Sequence, residues 1–362
     1  MRRKRKINKR RLTVSILIML LLIAAASMWI INIVKSHNSA GSGDAVVTEE
    51  MTEQAEEPTA EEQAEAEAQK AEEEAAAKAQ TEEMAIASHV YSHRGSAGPK
   101  EHSFEAYDAA IEAGSHYIEQ DVVVSADNVL YVSHDENALA MTGYNGAYEY
   151  MSSETIDGLT TGAGNKILRL SEVFDKYGKD INYVIELKSN SDACIQAFEK
   201  MVDEYGLSDN IIVSSMHAAA LESLEKKYPD MPKLFVCWNQ GDLDYVLDLP
   251  YVDIISVRAE TETGIFTESN CKATHEAGKQ FSAWTINTED EIKKAIDMGA
   301  DSYYTDDTAL ALSIEKDYGK QIRAANGTEN SDLLSGGGAA SEDADDEDAA
   351  NAADDEGSAD GE

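Results

Sequence analysis

Basic side chains are scarce in this chain. Lys and Arg number 30 against 69 Asp and Glu, giving a formal net charge of −39. That deficit argues against nucleic acid as a partner, because phosphate neutralisation needs a basic patch. The few cations are also segregated. Arg2, Arg3, Lys4, Arg5, Lys6, Lys9, Arg10 and Arg11 crowd the N-terminus, while residues 326–362 hold acids and no Lys or Arg. Such a division separates compartments more naturally than it builds one binding surface. Cysteine is equally sparse. Cys194, Cys237 and Cys271 are far apart, odd in number and free of any CxxC spacing, so buried free thiols are expected, although a Cys194–Cys271 bridge stays open. No GxGxxG or Walker sequence is present, which removes the usual support for a doubly wound nucleotide-binding sheet.

One long apolar run stands out. Residues 12–34, LTVSILIMLLLIAAASMWIINIV, contain no charge. At ~1.5 Å per helical residue they span about 35 Å, enough for the ~30 Å hydrocarbon core of a bilayer. A cleaved signal peptide is the rival, since Ala24-Ala25-Ala26 offers small residues, but the run exceeds the ~7–15 residues of a secretory apolar region. A single-pass cell-membrane anchor is therefore expected. The basic residues 1–11 stay in the cytoplasm by the positive-inside rule, and everything after Lys35 faces outward. Residues 35–85 form an acidic Ala/Glu tract without an apolar stripe, which predicts a solvated, partly helical stalk. Residues 321–362 are low-complexity and acidic, a disordered tail by composition. Only 86–320 can bury a core, and its length suits one (β/α)8 barrel.

Within that stretch the pattern alternates. β-Branched or aromatic runs occur at 90–93, 117–125, 129–134, 182–188, 210–215, 232–238, 252–257, 280–286 and 301–305. Amphipathic helical stretches lie at 103–113, 171–177, 193–205, 218–228, 267–277 and 289–298. Alternation of this kind predicts parallel βα units in an α/β fold, a (β/α)8 TIM barrel. Nine runs are one too many for eight strands. The pair 117–125 and 129–134, joined by Ala126-Asp127-Asn128, reads as a hairpin that adds an extra strand at the barrel mouth.

Active sites of such barrels lie at the C-terminal ends of the strands. Glu119 and Asp121 are two apart on a strand and so share a face; Glu186 joins them from the neighbouring strand. Adjacent carboxylates in a barrel interior are costly unless a cation binds them, and all-oxygen ligation suits one Ca²⁺ or Mg²⁺. The bland alternative pairs them with Arg94 or Lys188. His93 and His134 can serve as acid and base near neutral pH. Arg94 can fork onto a phosphate and Lys188 adds a point charge. Trp284 either stacks on an alcohol group or fills the mouth. Glu101 complements a helix dipole, and His89, His116, His217 and His275 are expected to be structural.

With these residues in order, residues 88–312 resemble the glycerophosphodiester phosphodiesterase family, within the phosphatidylinositol phospholipase C-like barrels. The motifs are His93-Arg94-Gly95, Lys100-Glu101-His102-Ser103, Glu119-Gln120-Asp121, His134-Asp135, Ile185-Glu186-Leu187-Lys188, Trp284-Thr285-Ile286-Asn287 and Thr305-Asp306. The resemblance implies Ca²⁺- or Mg²⁺-assisted hydrolysis of small or polymeric glycerophosphodiesters to glycerol 3-phosphate and an alcohol. It also implies Glu119, Asp121 and Glu186 as metal ligands, His93 and His134 as the acid/base pair, and Arg94 and Lys188 on phosphate. Lys100 and His102 depart from the family's usual Pro and Asn, and Ser214-Ser215-Met216-His217 stands where the family often has a Q-S-F element. Two other readings compete: a lysophospholipase D-like enzyme on the same barrel, and a degenerate barrel kept as a cell-surface scaffold.

Overall fold

The structure, a computed structural model, describes residues 84–96, 100–260 and 264–327, with isolated positions between 70 and 81. The anchor expected at 12–34 and most of the stalk and of the acidic tail expected at 321–362 lie outside the described residues. Among the described residues no helix is long and apolar enough to cross a membrane.

Nine strands form, one at each β-branched run. They are β1 (Val90–Ser92), β2 (Tyr117–Val124), β3 (Leu130–Val132), β4 (Asn182–Leu187), β5 (Ile211–Ser215), β6 (Lys233–Cys237), β7 (Ile254–Arg258), β8 (Gln280–Trp284) and β9 (Ser302–Thr305). Eight of them are parallel, and β1 closes the ring by pairing with both β2 and β9. The ninth, β3, is the expected hairpin partner. It runs antiparallel to the end of β2, with Val122 opposite Val132 and Val124 opposite Leu130.

Side-chain alternation divides the core. Tyr91, Tyr117, Val184, Ile212, Leu234, Val236, Ile254 and Tyr304 make one buried cluster. Residues of the opposite parity, such as Ile118, Val122, Ile185 and Leu187, join the larger cluster that packs against the helices. A face that carries Tyr117 must also carry 119 and 121, and the face with Val184 must carry 186. The barrel interior is therefore apolar at its base and acidic at its C-terminal end.

The helices start and stop where the sequence supplies caps. The Ser103 hydroxyl accepts from the Ala106 N–H at the start of Phe104–Ala113, and Gly114 ends that helix in the left-handed conformation. Thr288 and Glu291 form a reciprocal capping box on Glu289–Met298. Helices Gln240–Val246 and Thr308–Ile314 follow β6 and β9 and lack a sequence signal, because each is short. The packed chain continues past 320 into the helix Lys320–Asn326, where buried Arg323 grips buried Glu315 through two hydrogen bonds of 2.7 and 2.8 Å. All three cysteines are buried free thiols.

Candidate active site

Register sets the site. In the parallel ladder of β2 and β4, Asp121 stands opposite Glu186, and Glu119 lies one pleat below on the same face. One oxygen from each of Glu119, Asp121 and Glu186 can be chosen so that all three lie within 4.8 Å of one another. Ligands at the ~2.4 Å typical of calcium–oxygen bonds are at most about 4.8 Å apart, so the trio fits around one hard cation. The residues present thus match an all-oxygen divalent site.

The pairing alternative holds as well. Lys188 Nζ lies 2.8 Å from both Asp121 Oδ1 and Glu186 Oε1, and Arg94 Nε is 3.2 Å from Asp121 Oδ2. Burial alone would raise Asp121, but Lys188, the His102 hydrogen bond and Arg94 together hold it well below the usual carboxylate range. Burial and the Asp121 charge push Glu119 well up. Burial likewise pushes Glu186 up to about 7 against the opposing pull of Lys188. Were all three carboxylates ionised, they would outnumber the two cationic side chains at the barrel mouth, and desolvation makes that costly.

Arg94 is placed by its backbone as much as by its side chain. Its N–H donates to Glu119 Oε2 at 2.8 Å, and its guanidinium donates to Glu101 at 2.9 Å. Glu101 therefore orients Arg94 rather than only complementing a helix. The turn that achieves this needs Gly95. At φ +88° a Cβ there would sit 2.7 Å from the Ala106 carbonyl carbon, which accounts for the glycine of the His93-Arg94-Gly95 motif. Arg94 and His102 both adopt positive φ, and the His102 N–H donates to the Arg94 carbonyl at 2.9 Å.

His102 belongs to the site. It is fully buried, with Nε2 donating to Asp121 at 2.9 Å and Nδ1 accepting from the Tyr107 hydroxyl at 3.1 Å. Burial lowers its pKa, so the neutral ring fixes the rotamer of Asp121. His93 Nδ1 is 2.7 Å from Asp306 Oδ1. Asp306 also accepts from Asn287 Nδ2 at 2.7 Å and donates its own N–H to Asn287 Oδ1 at 2.8 Å. Burial would raise Asp306, yet the His93 hydrogen bond and Asn287 keep it ionised. His134 Nδ1 lies 2.8 Å from Asp135 Oδ1, and burial pulls its pKa down.

All eight residues singled out in the sequence, His93, Arg94, Glu119, Asp121, His134, Glu186, Lys188 and Trp284, line one cavity of about 560 Å³. Its opposite wall is apolar, from Met216, Val236, Trp238 and Trp284. The two tryptophans meet edge to face at 5.1 Å, and Arg258 stacks 4.7 Å from the Trp238 ring. His217 also lines this cavity. His89 and His275 both bond to Asp301, which precedes β9 at the end of the strand opposite Asp306. Asp306 carried only a weak signal, a Thr-Asp motif, because its partner His93 is distant in the chain.

The comparisons with known proteins agree with this geometry. The model of the glycerophosphoryl diester phosphodiesterase family matches residues 91–310. A glycerophosphodiester phosphodiesterase of Caldanaerobacter subterraneus is 28% identical over 247 residues, covering 62% of this chain and 96% of that protein. A human lysophospholipase D is 26% identical over 269 residues, covering 62% of this chain and 85% of its own. Among solved structures, an Oleispira antarctica phosphodiesterase in complex with the product sn-glycerol-3-phosphate superposes with a TM-score of 0.56 at 21% identity, over 64% of this chain and 96% of that one. A Silicibacter pomeroyi structure gives 0.57 at 21%, over 64% and 93%. These two likenesses show the fold, and the family match shows the kinship. A chain with this barrel, this cluster of carboxylates and this match over most of its packed length belongs to the glycerophosphoryl diester phosphodiesterase family, and is an enzyme of the phosphoric diester hydrolase class.

Proposed function

We propose that the enzyme hydrolyses glycerophosphodiesters to glycerol 3-phosphate and an alcohol, with one divalent cation, Ca²⁺ or Mg²⁺, held by Glu119, Asp121 and Glu186. The observation that carries the proposal is the oxygen trio within 4.8 Å, set beside two imidazoles. When bound, the cation would supply charge neutralisation of the phosphoryl oxygens and ease deprotonation of the attacking water. The protein's own groups do the rest. Asp306 accepts a hydrogen bond from the Nδ1–H of His93, which leaves Nε2 free to accept a proton from the attacking water. Arg94 and Lys188 face the phosphoryl oxygens with donors already oriented by Glu101, Asp121 and Glu186. His134, tied to Asp135, gives a proton to the departing alkoxide.

The enzyme acts outside the cell in this proposal. Support comes from the uncharged residues 12–34 behind eight basic side chains. A second reading, release of the head group from lysolipid, is favoured by the apolar wall of Met216, Val236, Trp238 and Trp284. Turnover of glycerophosphocholine against lysophosphatidylcholine separates the two. The first reading expects glycerophosphocholine cleavage that stops in EDTA and returns with Ca²⁺ or Mg²⁺; cleavage of lysolipid alone would transfer the assignment to the second. Protease shaving of intact cells tests location, with loss of the catalytic domain expected.

A further inference from the structure

We propose that a second cavity, beside the catalytic one, is the subsite for the departing alcohol, and that it takes a polar alcohol that is uncharged or cationic. The inference rests on the phosphodiesterase reading above. The second hollow measures about 490 Å³. Arg94, His134 and Asp135 line both hollows, whereas His93 and the carboxylate trio line only the first. The two spaces therefore meet along Arg94, the phosphate ligand of the proposed mechanism, and His134, its acid.

That placement fixes the direction of the reaction. In an in-line displacement the attacking oxygen and the departing oxygen lie on opposite sides of phosphorus. The attacking water forms its bond to phosphorus on the His93 side and gives its proton to Nε2. The bond from phosphorus to the alcohol oxygen breaks on the other side, and the proton carried by His134 passes to that oxygen. The freed alcohol then lies at the junction and faces the second cavity.

The lining selects the alcohol. Glu101 and Asp135 present two carboxylates against the guanidinium of Arg94 and His134, whose positive charge is gone once its proton has passed to the alcohol, and Thr161 adds a hydroxyl. An alcohol bearing a further phosphate meets net repulsion there, whereas hydroxyls or an ammonium group find acceptors. Among the described lining residues Met141 is the one large apolar side chain, so an acyl chain gains little. The aromatic and aliphatic wall belongs to the other cavity. The walls of the second cavity are fixed in place. The Gly162 N–H donates to the Met141 carbonyl at 2.8 Å, and the Thr161 N–H donates to the Asn165 carbonyl at 2.7 Å, which ties the 161–165 turn to the helix Leu139–Thr142.

Two exposed alanines allow the cavity to be filled without touching the catalytic groups: Ala140 and Ala163, on different segments. The full chain, loaded with Ca²⁺ or Mg²⁺, is assayed as wild type, Ala140→Trp and Ala163→Trp on three diesters. These are glycerophosphocholine, the methyl ester of glycerol 3-phosphate, and glycerophosphoglycerol carrying a terminal phosphate. Thermal melting of each variant establishes folding. The expected result is wild-type preference for the choline ester over the phosphate-terminated one, and a rise of about tenfold in KM for the choline ester in both variants. The methyl ester, which leaves the cavity empty, should change less than about twofold. Folded variants that lose all three substrates alike, or none, overturn the subsite. A wild-type enzyme that cleaves none of the three overturns the phosphodiesterase reading itself, a result distinct from either.

Discussion

Glu186→Gln should make the metal-free protein more stable while removing its response to metal. Burial pushes Glu186 from the ordinary 4.5 up to about 7. A carboxyl whose folded pKa is raised binds more protons folded than unfolded between those two values, so stability falls as pH rises from about 4.5 to about 7. At 1.36 kcal/mol per pH unit, the ionised group at pH 8 weakens the metal-free fold by about 3 kcal/mol. Glutamine has nearly the same shape and no charge, and Lys188 keeps Asp121 at 2.8 Å. The variant in EDTA at pH 8 should therefore melt higher, by up to roughly 6–12 °C for a domain of this length. Metal reverses the order. At a hundredfold excess over Kd the wild type gains about 2.7 kcal/mol, and the variant, short of one ligand, gains much less. Differential scanning calorimetry in EDTA and then in millimolar Ca²⁺ reads both effects. A variant that melts lower than wild type in EDTA would refute the reasoning, because Lys188 would then be compensating Glu186 fully and the trio would have no need of an ion.

Asp306→Asn removes the carboxylate that holds His93 by its Nδ1 and should lower kcat by about 10- to 100-fold, the worth of one charge-assisted hydrogen bond, with KM little changed; steady-state kinetics with unchanged kcat would show that His93 orients without it. Arg323→Ala strands Glu315, which is 1% exposed, and should cost about 3–5 kcal/mol in urea unfolding. A loss under about 1 kcal/mol would mean that water or relaxation reaches Glu315. Burial lowers His89 from 6.5 to about 4, with Arg323 adding repulsion. The unfolded chain takes up its proton first, so stability is fully present above about 6.5 and is lost as pH falls towards 4, by about 3 kcal/mol. Urea midpoints at pH 7 and pH 4.5 should diverge less in His89→Phe than in the wild type, and equal divergence would assign the acid lability elsewhere.

The sequence determined the nine strands, the hairpin and eight of the residues that line the cavity. Each of those is a local matter: β-branched runs make strands, a period of two puts Glu119 and Asp121 on one face, and strand ends carry the chemistry. Tertiary structure decided everything that depends on register and closure. Asp121 reaches Glu186 only because β2 pairs with β4 in one particular alignment. His93 meets Asp306 only because β9 returns to β1 and closes the ring. His102 and His217 join the site through contacts between segments, and Arg323 finds Glu315 through a helix that composition assigned to the tail. Local preference falls off within a few residues along the chain, whereas burial and charge pairing act between residues that the fold brings together. Partner choice across the barrel is thus set by three-dimensional packing, and no one-dimensional pattern contains it.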